Sequence, residues 1–119
     1  SLNNKNIKII KKKNNIRKYF VDTNLVICTG GTMMFEALNC KKLTAVIKNY
    51  DHQKHAIKYF DKNNCIFYLG ERKKIKTNFI NKLLTENYKN LRPVLENIPN
   101  ELDGLGSTRV IRLIKEFIK

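Results

Sequence analysis

The sequence predicts an α/β fold, a Rossmann-like parallel sheet with flanking helices, on three observations. Strand-like and helix-like segments alternate along the chain, the signature of βαβ units. The connections between them are short, about two to six residues, and right-handed crossovers then make a parallel sheet the default. Leu25–Cys28 (LVIC) is a continuous apolar run that stops at Thr29-Gly30-Gly31, as a strand buried on both faces of such a sheet would. At 119 residues and 42% hydrophobic, the chain holds a single domain, residues 1–119, with a core of modest size.

Each element has its own warrant. Asn6–Lys11 (NIKIIK) reads as a short strand, and Ile16–Asp22 as one or two helical turns with Ile16, Tyr19 and Phe20 at helical spacing. Thr32–Asn39 puts Met33, Met34, Ala37 and Leu38 on one side, an amphipathic helix. Thr44–Lys48 (TAVIK) is the next strand, followed by a turn through Asn49–His52. Gln53–Asn64 is helical by pattern, with Ala56, Ile57 and Phe60 inward and Asp51 positioned to cap it. Ile66–Leu69 (IFYL) is a strand closed by Gly70. Thr77–Asn90 reads as a long helix carrying Phe79, Ile80, Leu83, Leu84 and Leu91 toward the core, broken or restarted at Pro93. Ser107 caps a last helix striped by Val110, Ile111, Ile114, Phe117 and Ile118.

Composition excludes several classes. Gly is 5, Pro 2 and Cys 3, which rules out collagen-like, mucin-like and disulfide-scaffold chains. No apolar run approaches the ~18 residues of a membrane span, and no leader pattern marks secretion, so a cytoplasmic location is expected. Cys28, Cys40 and Cys65 form no C-x-x-C pair and read as buried, reduced thiols; nothing calls for a metal or a cofactor. The net charge is +14, with seven cations and no acid in residues 1–18. However, Lys, Asn and Ile number 19, 16 and 14. All three have A/T-rich codons, and Asn neutralises no phosphate. Codon bias therefore accounts for the charge better than a nucleic-acid surface, which interleaves aromatics or arginine forks with its lysines.

In an open parallel sheet, ligands bind beyond the carboxyl ends of the strands. Here those ends are Thr29–Thr32, Asn49–Gln53 and Gly70–Arg72. At the first, Gly30-Gly31 lets the backbone approach a ligand and aims the N–H groups of a helix start at an anion; a tight strand-to-helix turn would use the same pair. Glu36 follows Thr32 by four residues on the same helical face. Its carboxylate either receives two ribose hydroxyls or is a solvated surface acid. No Gly-Lys-Ser/Thr ends the loop, so it is not a Walker A motif, nor does it show G-x-G-x-x-G. Gln53 shares an inward face with Ala56, Ile57 and Phe60, so it needs a partner, either a ligand hydroxyl or a neighbouring backbone carbonyl. His52 and His55 are candidate acid–base groups with no nucleophile evident beside them. Asp103-Gly-Leu-Gly-Ser-Thr-Arg109 follows helix and loop rather than strand, which favours a turn into the last helix over a phosphate loop.

The set Leu25-Val-Ile-Cys-Thr-Gly-Gly-Thr-x-x-x-Glu36-Ala-Leu, then Asp51-His-Gln53, then Asp103-Gly-x-Gly-x-x-Arg109-Val resembles the C-terminal domain of GT-B-fold nucleotide-sugar enzymes. Within that group it is most similar to the UDP-sugar hydrolases of pseudaminic acid synthesis and their spore-coat polysaccharide (SpsG-like) relatives. The first motif is shared with MurG-like UDP-N-acetylglucosaminyltransferases. The resemblance implies that the amides of Gly30, Gly31 and Thr32 face a diphosphate, that Glu36 holds the uridine ribose, and that Gln53 meets the sugar or its phosphate. Where such transferases carry an Asn or a second Gln close after that Gln, this chain has Lys54 and His55. The family's N-terminal Rossmann domain and the opening β-α-β of its C-terminal domain have no counterpart in these 119 residues. The resemblance thus implies a domain truncated on its N-terminal side. It would bind a UDP-sugar while a missing domain or a partner subunit supplies catalysis, and strands left unpaired could join copies of the chain.

Overall fold

The computed structural model describes Ile9 and residues 17–99. A short helix, α1 (Arg17–Phe20), leads to β1 (Leu25–Thr29), and α2 (Thr32–Asn39) returns the chain to β2 (Leu43–Lys48). A 3-10 turn at Asp51–Gln53 runs into α3 (Lys54–Lys62) and then β3 (Phe67–Glu71). α4 (Thr77–Thr85), α5 (Tyr88–Leu91) and a 3-10 segment at Arg92–Asn97 follow. The strands form a three-stranded parallel sheet in the order β1-β2-β3. The predicted α/β, Rossmann-like arrangement is observed, as two successive βαβ units.

Strand order decides which strand is buried. β2 is central, and Leu43, Thr44, Ala45 and Val46 are all buried, with the Thr44 hydroxyl donating to the Lys42 carbonyl at 2.9 Å. β1 lies at the margin of the described sheet, and its Ile27 is 43% exposed. The burial on both faces expected of Leu25–Cys28 therefore belongs to β2.

Pleating sends alternate residues to opposite layers. One face joins Cys28, Val46 and Tyr68 to Met34 and Leu38 of α2 and to Ala56, Ile57 and Phe60 of α3, with Leu95 and Ile98 completing the cluster. The other joins Ala45 and Leu69 to Phe79, Ile80 and Leu83 of α4 and to Leu91. Phe60, Met34 and Leu38 are fully buried, each worth about 1.5–3 kcal/mol of apolar transfer.

Four readings change. Asp51 does not cap the helix that follows; it is exposed and pairs with Lys48 at 3.6 Å. Gly70 lies inside β3 rather than after it, at φ +100°, beside an irregularity in the β2–β3 register. The helix expected over Thr77–Asn90 is divided, because Glu86 and Asn87 are extended and Asn87 restarts the chain as the N-cap of α5. Leu84, past the apolar face of α4, is 43% exposed. The strand Asn6–Lys11 lies outside the described residues except for Ile9, which is exposed. Asp103–Arg109 and the helix capped by Ser107 also lie outside them. No helix among the described residues is long and apolar enough to cross a membrane.

Candidate functional site

Parallel pairing brings the ends of β1, β2 and β3 to one edge of the sheet, and the three βα turns meet there. In the first turn, the Gly30 N–H continues the ladder by donating to the Ile47 carbonyl at 3.2 Å. A Cβ on Gly30 would lie 2.5 Å from both Cγ1 and Cδ1 of Ile57. Gly30 thus works as a spacer between β1 and α3, and its amide is already engaged. Gly31 is the residue before α2, and among the described residues no side chain caps that helix start. Backbone donors there carry the partial positive charge of the helix end.

The second turn closes on Gln53. This side chain is 6% exposed. Its Oε1 accepts the Asn49 N–H at 2.9 Å and the Tyr50 N–H at 3.2 Å. Both partners of Oε1 are backbone amides of the same turn. Gln53 is oriented by these two bonds, and its Nε2 comes within 3.4 Å of where a Gly31 Cβ would stand. The structure therefore brings Gly31 and Gln53 together from two different turns. Thr32 is exposed at the start of α2, and Glu36 lies one turn further along that helix, half-buried. His52 stacks on Tyr50 with ring centroids 5.6 Å apart, and both His52 and His55 are exposed. Among the described residues no group of three or more His, Cys, Asp or Glu side chains could hold a metal.

The third turn holds charge that the sequence reading passed over. Lys48 Nζ lies 3.1 Å from Glu71 Oε1 and 3.6 Å from Asp51 Oδ1. The hydrogen bond to Glu71 pushes the Lys48 ammonium above its ordinary pKa; partial desolvation opposes this, and the charges of Glu71 and Asp51 add to it. Arg72 Nη1 donates to Asn49 Oδ1 at 3.5 Å, tying the second turn to the third. Lys48, Asn49, Glu71, Arg72 and Lys73 line an open depression of about 600 Å³. The available signal was a cation closing the TAVIK strand together with the Gly-Glu-Arg-Lys-Lys turn.

The cysteines take no part in this edge chemistry. Burial pushes the Cys28 thiol up to about 12 and raises that of Cys65. Cys65 is fully buried and donates to the Asn97 carbonyl at 3.1 Å, an anchor for the 3-10 segment. Neither is a thiolate at neutral pH, so neither is a ready nucleophile. Comparison with known protein families, curated proteins and solved structures gives no match.

Proposed function

We propose that this chain is the UDP-sugar-binding part of a nucleotide-sugar hydrolase, akin to the C-terminal domain of GT-B enzymes and acting in the cytoplasm on surface-polysaccharide precursors. The observation that carries the reading is the meeting of Gly31 and Gln53 at an uncapped helix start. Gly31 and Thr32 offer main-chain donors to the diphosphate, and Gln53 Nε2 offers a side-chain donor beside them. Glu36, one turn further along the helix, accepts the ribose hydroxyls. Gly30 shapes the loop without touching the ligand. Such fixed donors stabilise the charge that develops on departing UDP, whether water or an acceptor hydroxyl attacks the anomeric carbon. Groups that activate water come from a further domain or a partner subunit, and the single domain 1–119 alone turns nothing over. Glycosyl transfer by a UDP-N-acetylglucosaminyltransferase would use the same donor contacts.

Titrating the 15N-labelled chain with UDP tests the reading. The expected result is saturable shifts at the Gly31 and Thr32 amides and the Gln53 side-chain amide, with smaller shifts for uridine. Absence of shifts there at millimolar UDP would overturn it. A nucleic-acid surface would instead bind oligonucleotides without base preference and lose affinity steeply as salt rises.

A further inference from the structure

The depression at the β2 and β3 exits has a construction of its own. Gly70, at φ +100°, packs so closely that a Cβ there would stand 2.7 Å from the Lys74 carbonyl oxygen. The Arg72 N–H donates to the Lys48 carbonyl and the Lys74 N–H to that of Glu71, each at 2.9 Å, and the Lys76 N–H to that of Leu69 at 2.8 Å. These bonds fix the turn that presents Glu71, Arg72 and Lys73. Lys48 sets one positive charge against the two carboxylates of Glu71 and Asp51, so the depression is net positive only through Arg72 and Lys73, which outweigh the second carboxylate. Arg72 spends one long contact on Asn49, which leaves most of its planar donor fork for a bidentate anion. The depression is open and holds about 600 Å³, more than one phosphate fills.

We propose that this depression binds a small phosphorylated sugar or polyol. Its phosphate would lie on Arg72 and Lys73 and its hydroxyls on Asn49 and the second carboxylate oxygen of Glu71. The site adjoins the Gly31–Gln53 contact through the Asn49 N–H, which donates to Gln53 Oε1, but its anion contacts are Arg72 and Lys73 and its argument does not depend on the uridine diphosphate reading.

The test is a titration of the 15N-labelled full chain at fixed ionic strength with glucose 6-phosphate, inorganic phosphate and glucose in separate arms. Glucose 6-phosphate is expected to shift the amides of residues 71–73 saturably, more tightly than inorganic phosphate, while glucose alone shifts none. Arg72→Gln, at an exposed position, should keep the native spectrum and weaken the sugar phosphate about tenfold or more. Lys89→Gln, which does not line the depression, should leave it unchanged. Shifts that never saturate, equal affinity for free phosphate and sugar phosphate, or an Arg72→Gln variant that binds as before would each overturn the proposal. Because UDP is followed at Gly31 and Thr32, either site can fail while the other stands.

Discussion

At the scale of single residues, two adjacent glycines do different work, and substitution should separate them. Alanine at Gly30 drives a methyl into Ile57, which is 3% exposed and packed in the core. That overpacking should cost about 1–3 kcal/mol, read as a lower urea midpoint. Alanine at Gly31 meets only Gln53 Nε2, at 3.4 Å, so stability should hardly change while the UDP-induced shifts at Thr32 weaken. Gln53 can be dissected in the same way. Gln53→Ala strands the Asn49 and Tyr50 N–H groups, a loss of about 1–3 kcal/mol. Gln53→Glu keeps an oxygen for both donors and should retain the fold, but it sets a negative charge beside Gly31 and should abolish UDP binding. A Gln53→Glu variant that bound UDP normally would remove Gln53 from the site. The sequence made this turn visible, since a glycine pair between an apolar run and an amphipathic stretch has few other uses. It could not divide the labour, because both the partner of the Gly30 amide and the atoms that forbid its Cβ come from residues 17 to 27 positions away.

At the scale of elements, α2 was legible to its ends because its apolar periodicity and the glycines before it agree. The split between α4 and α5 was not, since the apolar spacing runs on through Leu91 while the backbone turns at Glu86 and Asn87. What holds the break is local polar chemistry. Glu86 Oε1 accepts from the Asn90 side-chain amide at 2.8 Å and from the Asn87 N–H at 3.0 Å, and the Asn87 side chain accepts the Lys89 N–H at 3.1 Å. The Asn90 bond, and then the Asn87 bond, hold the Glu86 carboxyl below its ordinary pKa of 4.5. A carboxylate favoured in the folded state contributes stability above that ordinary value and loses it as pH falls through the lower, folded value. Urea midpoints measured between about pH 3 and 6 should therefore fall less steeply for Glu86→Gln than for the wild type. Asn87→Ala should cost about 1 kcal/mol at any pH through the lost cap. Gly70 was legible as a stop but not as a strand residue for a related reason: a glycine after an apolar run reads as an end, whereas a left-handed residue can also carry a strand past an irregularity.

For the whole molecule, the α/β class was legible because the alternation of patterns fixes the layers. The order of burial was not, since Leu25–Cys28 is the more apolar run and yet the β1-β2-β3 order makes Leu43–Val46, with its Thr44, central. The charge of +14 is the remaining global property. The whole chain carries 24 basic against 10 acidic side chains, so like-charge repulsion outweighs attraction across it. Like charges spread over one small domain favour the expanded chain. At about 0.02 M salt the Debye length is roughly 20 Å and much of the domain is coupled, whereas at about 0.3 M it is roughly 6 Å and only neighbours interact. The urea midpoint should therefore rise between those two salt concentrations. Oligonucleotide affinity, by contrast, should collapse to a non-specific level over the same range. A midpoint that falls with salt would mean that attractive pairs outweigh the repulsion. Base-selective oligonucleotide affinity persisting at the higher salt would show the cations to be arranged for a nucleic acid rather than accumulated through codon bias.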